Sequence, residues 1–485
     1  MAEEDLYQER LRKVTALRAR GEDAWRVRFD RSHTAAELAA EHADLPPGES
    51  SGKTVRVAGR LLASREQGKI AFGDLVDATG KLQLFVTGDV VEAFTPLDAG
   101  DIVGASGEVL RTKRGELSVR PDEVVLLAKA LRPPPAKWHG LHDVETRFRQ
   151  RYLDLIANPE ARRVARVRAD VIRGLRAYLD DRDFVEVETP TLHPIPGGGY
   201  ARPFATHYNA LDADMYLRVA PELYLKRLVV GGFERVFEFA RVFRNEGMSF
   251  KHSPEATMLE AYKAYADYLD VMDLFTELVH GAAGAAGVDG PTSFRGHEID
   301  LRAQWRRVTM CALVSEVVGE PVSFDRSLDD LRAMCSSRGL AVEQWWGKGT
   351  LIGELYDKVA EPTIVAPTIV YDYPLEISPL ARTHRDDDNL VERFEVVVAG
   401  MELGNAFSEL NDPLEQRRRF EQQQEAREHG DIEANPVDEP YIEALEYGLP
   451  PTGGLGIGVD RLTMVLAGVD SIRETILFPA LRPER

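Results

Sequence analysis

A chain of 485 residues is too long for one ordinary hydrophobic core, so two or three domains are expected. Hydrophobic residues at 44% and charged residues at 29% exclude a disordered or fibrous class and describe a globular protein. A net charge of −20 argues against a surface that coats nucleic acid generally, but it leaves room for a local basic face.

Two cysteines, Cys311 and Cys335, are too few for a disulfide framework or a thiolate zinc site and suit a reducing cytosol. The N-terminus has no apolar core of a secretory signal. No apolar run approaches the roughly 20 residues of a membrane span. A soluble cytoplasmic protein without membrane association is expected.

In chain order, residues 3–20 read as a charged helix. Basic residues then dominate to position 31: Arg10, Arg12, Lys13, Arg18, Arg20, Arg26, Arg28 and Arg31. Such a run is either a solvated face or a contact for a polyanion, and composition favours the former. PPGESSGKT at 46–54 resembles a phosphate loop but has Pro47 where the first glycine is needed, and a strand follows instead of a helix. Five short alternating segments come next: TVRVAGRLLA, IAFGDLVD, LQLFV, DIVGASGEVLR and LSVRPDEVVLLA, with ATGK and RTKRGE as turns. They predict a small closed β-barrel of OB-fold size over 54–131, after an N-terminal helical extension at 1–53. RPPPAKW at 132–138 opens a stiff linker that runs to about 160.

From 161 to 485 the pattern is α+β with a substantial antiparallel sheet. ARRVARVRADVIRGLRAYLDDRD predicts a long amphipathic helix and FVEVETPTL a strand stopped by Pro190. Strands alternate with a short helix at PELYLKRLVVG over 205–245. Helical patterns fill 258–285 and 326–345, so an insertion of helical character is expected at about 263–350. GAAGAAG at 281–287 reads as a flexible link. Strands return at TIVYDYP, RFEVVVAGMELGNAF and GLGIGV, and DRLTMVLAG ends the pattern as a helix.

Three stretches carry chemistry. RVFRNEGMSFKHSPEATMLEAY at 241–262 sets charges of both signs between apolar segments, as a phosphate pocket would. EVVVAGMELGNAFSELND at 395–412 places acids on an otherwise apolar strand, where they are costly unless paired with a cation. GLPPTGGLGIGVDRL at 448–462 puts a glycine-dense strand before Arg461, and glycine lets a ligand approach the backbone. Singly, each is also read as solvated ion pairs.

Together they resemble the three signature motifs of class II aminoacyl-tRNA synthetases: FVEVETPTL, FRNEG with its loop, and GLGIGVDR. RQRYLDL, APELYLKRLVVGGFERVFE, GNAFSELND and GLPPTGGLGIG are similar to lysyl-tRNA synthetases of the bacterial and eukaryotic type (class IIb), over almost the whole chain. The class I signatures HIGH and KMSKS are absent. The resemblance implies an OB-fold anticodon-binding domain followed by a catalytic domain built on an antiparallel sheet flanked by helices. It implies activation of L-lysine with ATP to lysyl-adenylate and transfer to the terminal ribose of tRNA(Lys). It assigns Arg244 and Arg461 as catalytic; Arg244, Glu246, His252, Ser253, Glu395 and Arg461 to ATP; and Glu395 and Glu402 to Mg²⁺. Lysine would be held by Gly198, Glu222, Glu260, Tyr262, Asn405, Phe407 and Glu409, and the anticodon by Arg65, Phe72, Gln83 and Glu116. Motif 1 implies a homodimer.

One departure stands out. The family carries an adenine-stacking phenylalanine where this chain has Ala256, which implies weaker ATP binding unless a neighbour such as Phe250 compensates. The alternatives are a lysyl-tRNA synthetase paralogue with altered nucleotide use and a non-charging relative that binds lysine or RNA. Aspartyl and asparaginyl synthetases share the motifs, but Glu222 and Glu409 call for a cationic substrate.

Overall fold

The five alternating segments close on themselves. In a computed structural model, which describes residues 3–135, 141, 143–428 and 436–483, the strands Ser50–Gln67, Ile70–Val76, Lys81–Thr87, Leu117–Ala128 and Ile102–Arg111 form a closed barrel in that order. Inward residues such as Val57, Leu61, Leu75, Leu84, Val103 and Val109 fill it. The first strand starts at Ser50, so GESSGKT runs into the barrel and forms no phosphate loop. The Arg10 guanidinium is buried and donates to the carbonyls of Ala99 and Ala130, while Lys13 pairs with Asp98. These two cations of the N-terminal helix Glu3–Ala19 therefore anchor the helix within this unit. Arg12, Arg18, Arg20, Arg26, Arg28 and Arg31 stay exposed. The chain divides into two compact units, Met1–Arg147 with Tyr152–Ala157, and Phe148–Arg151 with Asn158–Arg485. Residues 136–138 of the predicted proline linker lie outside the described residues.

The second unit is built on an eight-stranded sheet in the order Arg306–Thr309, Thr368–Pro374, Leu390–Val398, Met401–Ser408, Thr452–Gly458, Glu255–Ala264, Arg235–Phe243 and Val185–Glu186. Both end pairs are parallel and the inner pairs antiparallel, so the sheet is mixed at its edges. Leu259, Ala261, Phe394, Val396, Leu455 and Ile457 point to one face. There they pack under the helices Pro159–Asp180, Tyr268–Ala285 and Val459–Ala467. The alternate residues face the other way and build the site, as the period of two requires.

Several predicted elements differ. FVEVETPTL contributes only Val185–Glu186 to the sheet, because Val185 is exposed at its edge and Pro190 ends pairing soon after. Residues 258–264 are strand, not helix: they alternate and pair on both sides, with the strands at 235–243 and 452–458. The helix predicted at 326–345 covers Leu328–Ser337 and stops before Gly339, whose φ is +74°. The segment 263–350 also holds the hairpin Thr292–Phe294/His297–Ile299 and the edge strand Arg306–Thr309. GAAGAAG is not a flexible link, since the helix Tyr268–Ala285 runs through most of it. Its small residues let the helix lie against Gly174 of Pro159–Asp180, where a Cβ on Gly174 would come within 2.6 Å of the Ala285 methyl.

Candidate active site

Two rows of residues cross the inner strands on the open face. One row pairs Glu260 with Gly456, Gly456 with Asn405 and Asn405 with Glu395; the other pairs Tyr262 with Gly454, Gly454 with Phe407 and Phe407 with Arg393. The glycines at the centre leave the sheet surface bare and so make the floor of a cavity of about 560 Å³. All fourteen residues singled out in the second unit line it: Gly198, Glu222, Arg244, Glu246, His252, Ser253, Glu260, Tyr262, Glu395, Glu402, Asn405, Phe407, Glu409 and Arg461.

One end is basic at its rim. Arg244 follows the strand Arg235–Phe243, and its guanidinium meets the Val219 carbonyl at 3.5 Å and the Met258 sulfur at 3.6 Å. Neither contact neutralises it, so the charge is left to the cavity. Arg461, in the first turn of Val459–Ala467, donates to the Glu402 carbonyl at 2.8 Å and to Glu402 Oε2 at 3.0 Å. Burial opposes ionisation of Glu402, but the guanidinium groups of Arg461 and Arg244 win and hold it below the usual carboxylate range. His252 Nδ1 lies 2.8 Å from Ser249 Oγ, and burial together with Arg461 and Lys251 lowers its pKa, so the ring is neutral at pH 7. Glu395 is pushed up to about 8, chiefly by burial, and Arg393 opposes that push with a hydrogen bond of 2.6 Å.

The donor set around Glu395 and Glu402 suits a hard cation of the Mg²⁺ type. Among the described residues no three His, Cys, Asp or Glu side chains converge to hold a metal alone. Two carboxylates with the remaining ligands from phosphate and water is the arrangement Mg²⁺ accepts.

The other end is acidic and enclosed. The Glu409 side chain is wholly buried and its Oε1 has no hydrogen-bond partner. Gly454 makes room for it, because a Cβ there would stand 1.9 Å from that oxygen. Glu222 opens the helix Glu222–Val230, where the helix dipole favours a carboxylate. Gly198, at φ +83°, packs against the Glu222 Cβ. Glu260 accepts from the Tyr262 hydroxyl at 3.1 Å; burial and the nearby Glu222 raise it well above the usual carboxylate range.

Three residues of this site were not singled out from the sequence. Arg393 ties the floor together by donating to Asn405 Oδ1 (2.9 Å), Ser378 Oγ (2.9 Å) and Glu395; its place two residues before Glu395, on the same face of one strand, was the available signal. Lys226 bridges Glu222 and Glu409, and its signal was the i,i+4 spacing from Glu222. Asp460 receives Arg168 and the Thr257 amide and so fixes the strand behind Arg244. Phe250 does not compensate at Ala256. It is absent from the cavity wall, and the Arg295 guanidinium covers its ring at 4.3 Å. Ala256, paired with Val242, leaves the wall open there.

On the barrel, Phe72 belongs to the outer face: Ala71 and Leu75 are core, while Phe72 is half-buried and stacks on Phe85 at 5.3 Å. Arg65 is its cross-strand partner and is exposed. Gln83 accepts from Ser118 Oγ at 3.0 Å, and Glu116 is exposed on the loop that precedes the strand Leu117–Ala128. A half-buried aromatic on the outer face, flanked by hydrogen-bonding side chains, is a platform on which a base can stack.

A mixed sheet that carries a paired-arginine cavity, preceded by an OB barrel, defines a class. The chain belongs to the family described as tRNA synthetases class II (D, K and N), whose model matches residues 143–482, and residues 55–127 match the OB-fold nucleic acid binding domain. Within that class it is similar to lysine–tRNA ligases. It is 50% identical to that of Synechococcus sp. (strain RCC307) over 99% of this chain and 97% of the relative. It is 49% identical to that of Moorella thermoacetica over 100% and 99%, and 47% identical to that of Carboxydothermus hydrogenoformans over 99% and 98%.

Proposed function

We propose that this chain is a lysine–tRNA ligase: it activates L-lysine with ATP and esterifies it to the 3′-terminal ribose of tRNA(Lys). The observation that carries the reading is one cavity with the Arg244 guanidinium, which makes no ion pair among the described residues, at one end and the buried Glu222 and Glu409 at the other. A triphosphate and a cationic side chain fit those two ends.

In the first step a lysine carboxylate oxygen attacks the α-phosphorus, a new O–P bond forms, and pyrophosphate leaves. Arg244 spans the carboxylate and α-phosphate, which fixes the approach and spreads the charge that develops. Arg461 and His252 hold the γ-phosphate end, Glu246 and Ser253 the adenosine end. Glu395 and Glu402 would hold Mg²⁺, which would supply charge neutralisation to the phosphates. Glu222, Glu409 and Tyr262 take the side-chain ammonium, Phe407 lines its stem, Gly198 and Glu260 take the α-amino group, and Asn405 the carboxylate. In the second step a ribose hydroxyl attacks the lysyl carbonyl and AMP leaves, its phosphate accepting the hydroxyl proton. No side chain acts as a nucleophile.

The barrel at 54–131 is the anticodon-binding domain, read through Phe72, Arg65, Gln83 and Glu116, and 161–485 is the catalytic domain, joined by 132–160. The exposed Val185 at the end of the sheet suits a homodimer closed through that edge. A cytoplasmic location accords with the free cysteines. Among the described residues no helix is long and apolar enough to cross a membrane. Charging of total tRNA with labelled lysine tests the reading: label enters the lysine isoacceptors and no others. Adenylate formation without any charged tRNA would replace it with a non-charging ligase.

Two further outcomes follow from the cavity walls. Gly454→Ala pushes Glu409 aside and raises the lysine KM on the order of tenfold or more, with the ATP KM unchanged. Ala256 favours a second reading, a paralogue with altered nucleotide use, because Phe250 is not in the wall beside it. In steady-state assays Ala256→Phe lowers the ATP KM by about tenfold, the low end of what one stacked ring supplies, and leaves the lysine KM unchanged. An unchanged ATP KM would show that adenine is already stacked by another group.

A further inference from the structure

The acidic end of the cavity already contains a cation. Lys226 is fully buried, and its Nζ lies 2.6 Å from Glu222 Oε1 and in contact with Glu409 Oε2. The Phe407 ring is 5.3 Å from the same nitrogen. Lys226 is not among the residues that line the cavity, whereas Glu222 and the buried Glu409 border it. The Lys226 contact with Glu409 Oε2 is an ion pair, and neither Glu409 oxygen has a hydrogen-bond partner among the described residues.

We propose that Lys226 is a resident cation of the amino-acid pocket: it fills one of two cation seats created by Glu222 and Glu409, so that the pocket accepts a single further positive charge, the side-chain ammonium of the substrate. The inference rests on the reading of Glu222 and Glu409 as partners of that ammonium. Two buried carboxylates without Lys226 could not both stay ionised, and one would take up a proton that the substrate must displace. With Lys226 present and both carboxylates ionised, the state that prevails above about pH 8, the pocket carries one net negative charge, which matches a monocation and disfavours neutral side chains. The neighbouring groups on every packed element bear on this balance: Glu260 and Tyr262 from the strand Glu255–Ala264, and Tyr441, itself beside Arg227, from the helix Glu439–Glu446. Burial works against the Lys226 charge, yet Glu222 and Glu409 hold it well above its ordinary range, whereas burial drives Glu409 up to about 8 against the pull of Lys226. Lys226 is thus a positioning and charge-setting residue, not a catalytic one.

Pyrophosphate exchange at varied lysine and pH tests this with Lys226→Met, Glu409→Gln and the double variant. Lys226→Met is expected to raise the lysine KM at pH 7 at least tenfold and to leave the ATP KM within twofold. Its lysine KM should keep falling above pH 8, where wild type levels off, because Glu409 has lost the charge that lowers its pKa. Lys226→Arg keeps the charge and should keep the wild-type pH profile. Glu409→Gln leaves Glu222 and Lys226 neutralising each other, so its lysine KM rises; removing Lys226 in that background restores one negative charge and should lower the KM severalfold. A purely structural lysine gives the opposite sign, a further loss in the double variant, and an unmoved pH profile; either result overturns the proposal. An unchanged lysine KM in Glu409→Gln would instead reject Glu409 as a substrate partner. Should Lys226→Met not fold, Glu409→Gln and the double variant carry the comparison, since in the double variant no two carboxylates face each other.

Discussion

Arg244→Ala is expected to lower lysine-dependent pyrophosphate exchange by about 10²–10³-fold, the cost of removing one preorganised donor to the charge of a transition state. The loss should appear in kcat and remain when both substrates are saturating. The fold should survive, because the side chain's own contacts are a long bond to the Val219 carbonyl and an approach to the Met258 sulfur. An arginine in a cavity wall that makes no ion pair among the described residues is the ligand contact proposed above. Exchange within threefold of wild type, with melting unchanged, would remove Arg244 from the chemistry.

The second large effect is on selection. Glu222→Gln keeps the shape of the side chain but removes one of the two negative charges at the enclosed end. The lysine KM should rise by about 10²-fold, and kcat/KM for lysine relative to methionine should fall by a similar factor. The reasoning is electrostatic: with Lys226 in place, the remaining Glu409 charge is already matched, so a second ammonium meets a neutral pocket. Methionine tests this because it reaches as far as the lysine stem without its charge. Selectivity equal to that of wild type would take Glu222 out of the pocket.

Much of this was legible in the sequence, for reasons visible in the sheet. The residues that build the site lie on strands, and a strand exposes every second residue to one face. Glu395, Asn405 and Gly456 could therefore be recognised as polar or small positions set into apolar strands, and the register then brings them into one row with Glu260, whose segment reads as helix in the sequence. The barrel was readable because its turns carry glycine and its strands alternate. Four things were hidden. The motif 1 strand lies at the edge of the sheet, pairs on one side through Val185–Glu186 alone and meets Pro190 soon after, so FVEVETPTL overstates its length. GAAGAAG looks pliant because composition does not reveal that glycine and alanine here meet Gly174 across two helices. Arg10 and Lys13 read as part of a solvated face or a polyanion contact, with composition favouring the former, because a charge run does not show which members turn inward. Lys226 was passed over for a related reason: a lysine in a helix is ordinarily solvated, and only the tertiary approach of Glu409 makes it part of the pocket.

ATP–pyrophosphate exchange with each of the twenty amino acids in turn is the most direct test of a cavity that joins a nucleoside triphosphate to a cationic amino acid. Exchange supported by L-lysine alone, with arginine and methionine at least about 10²-fold lower in kcat/KM, is the predicted result. Exchange driven equally by a neutral or acidic amino acid, or none with lysine while the protein is folded and supplied with Mg²⁺, would contradict it.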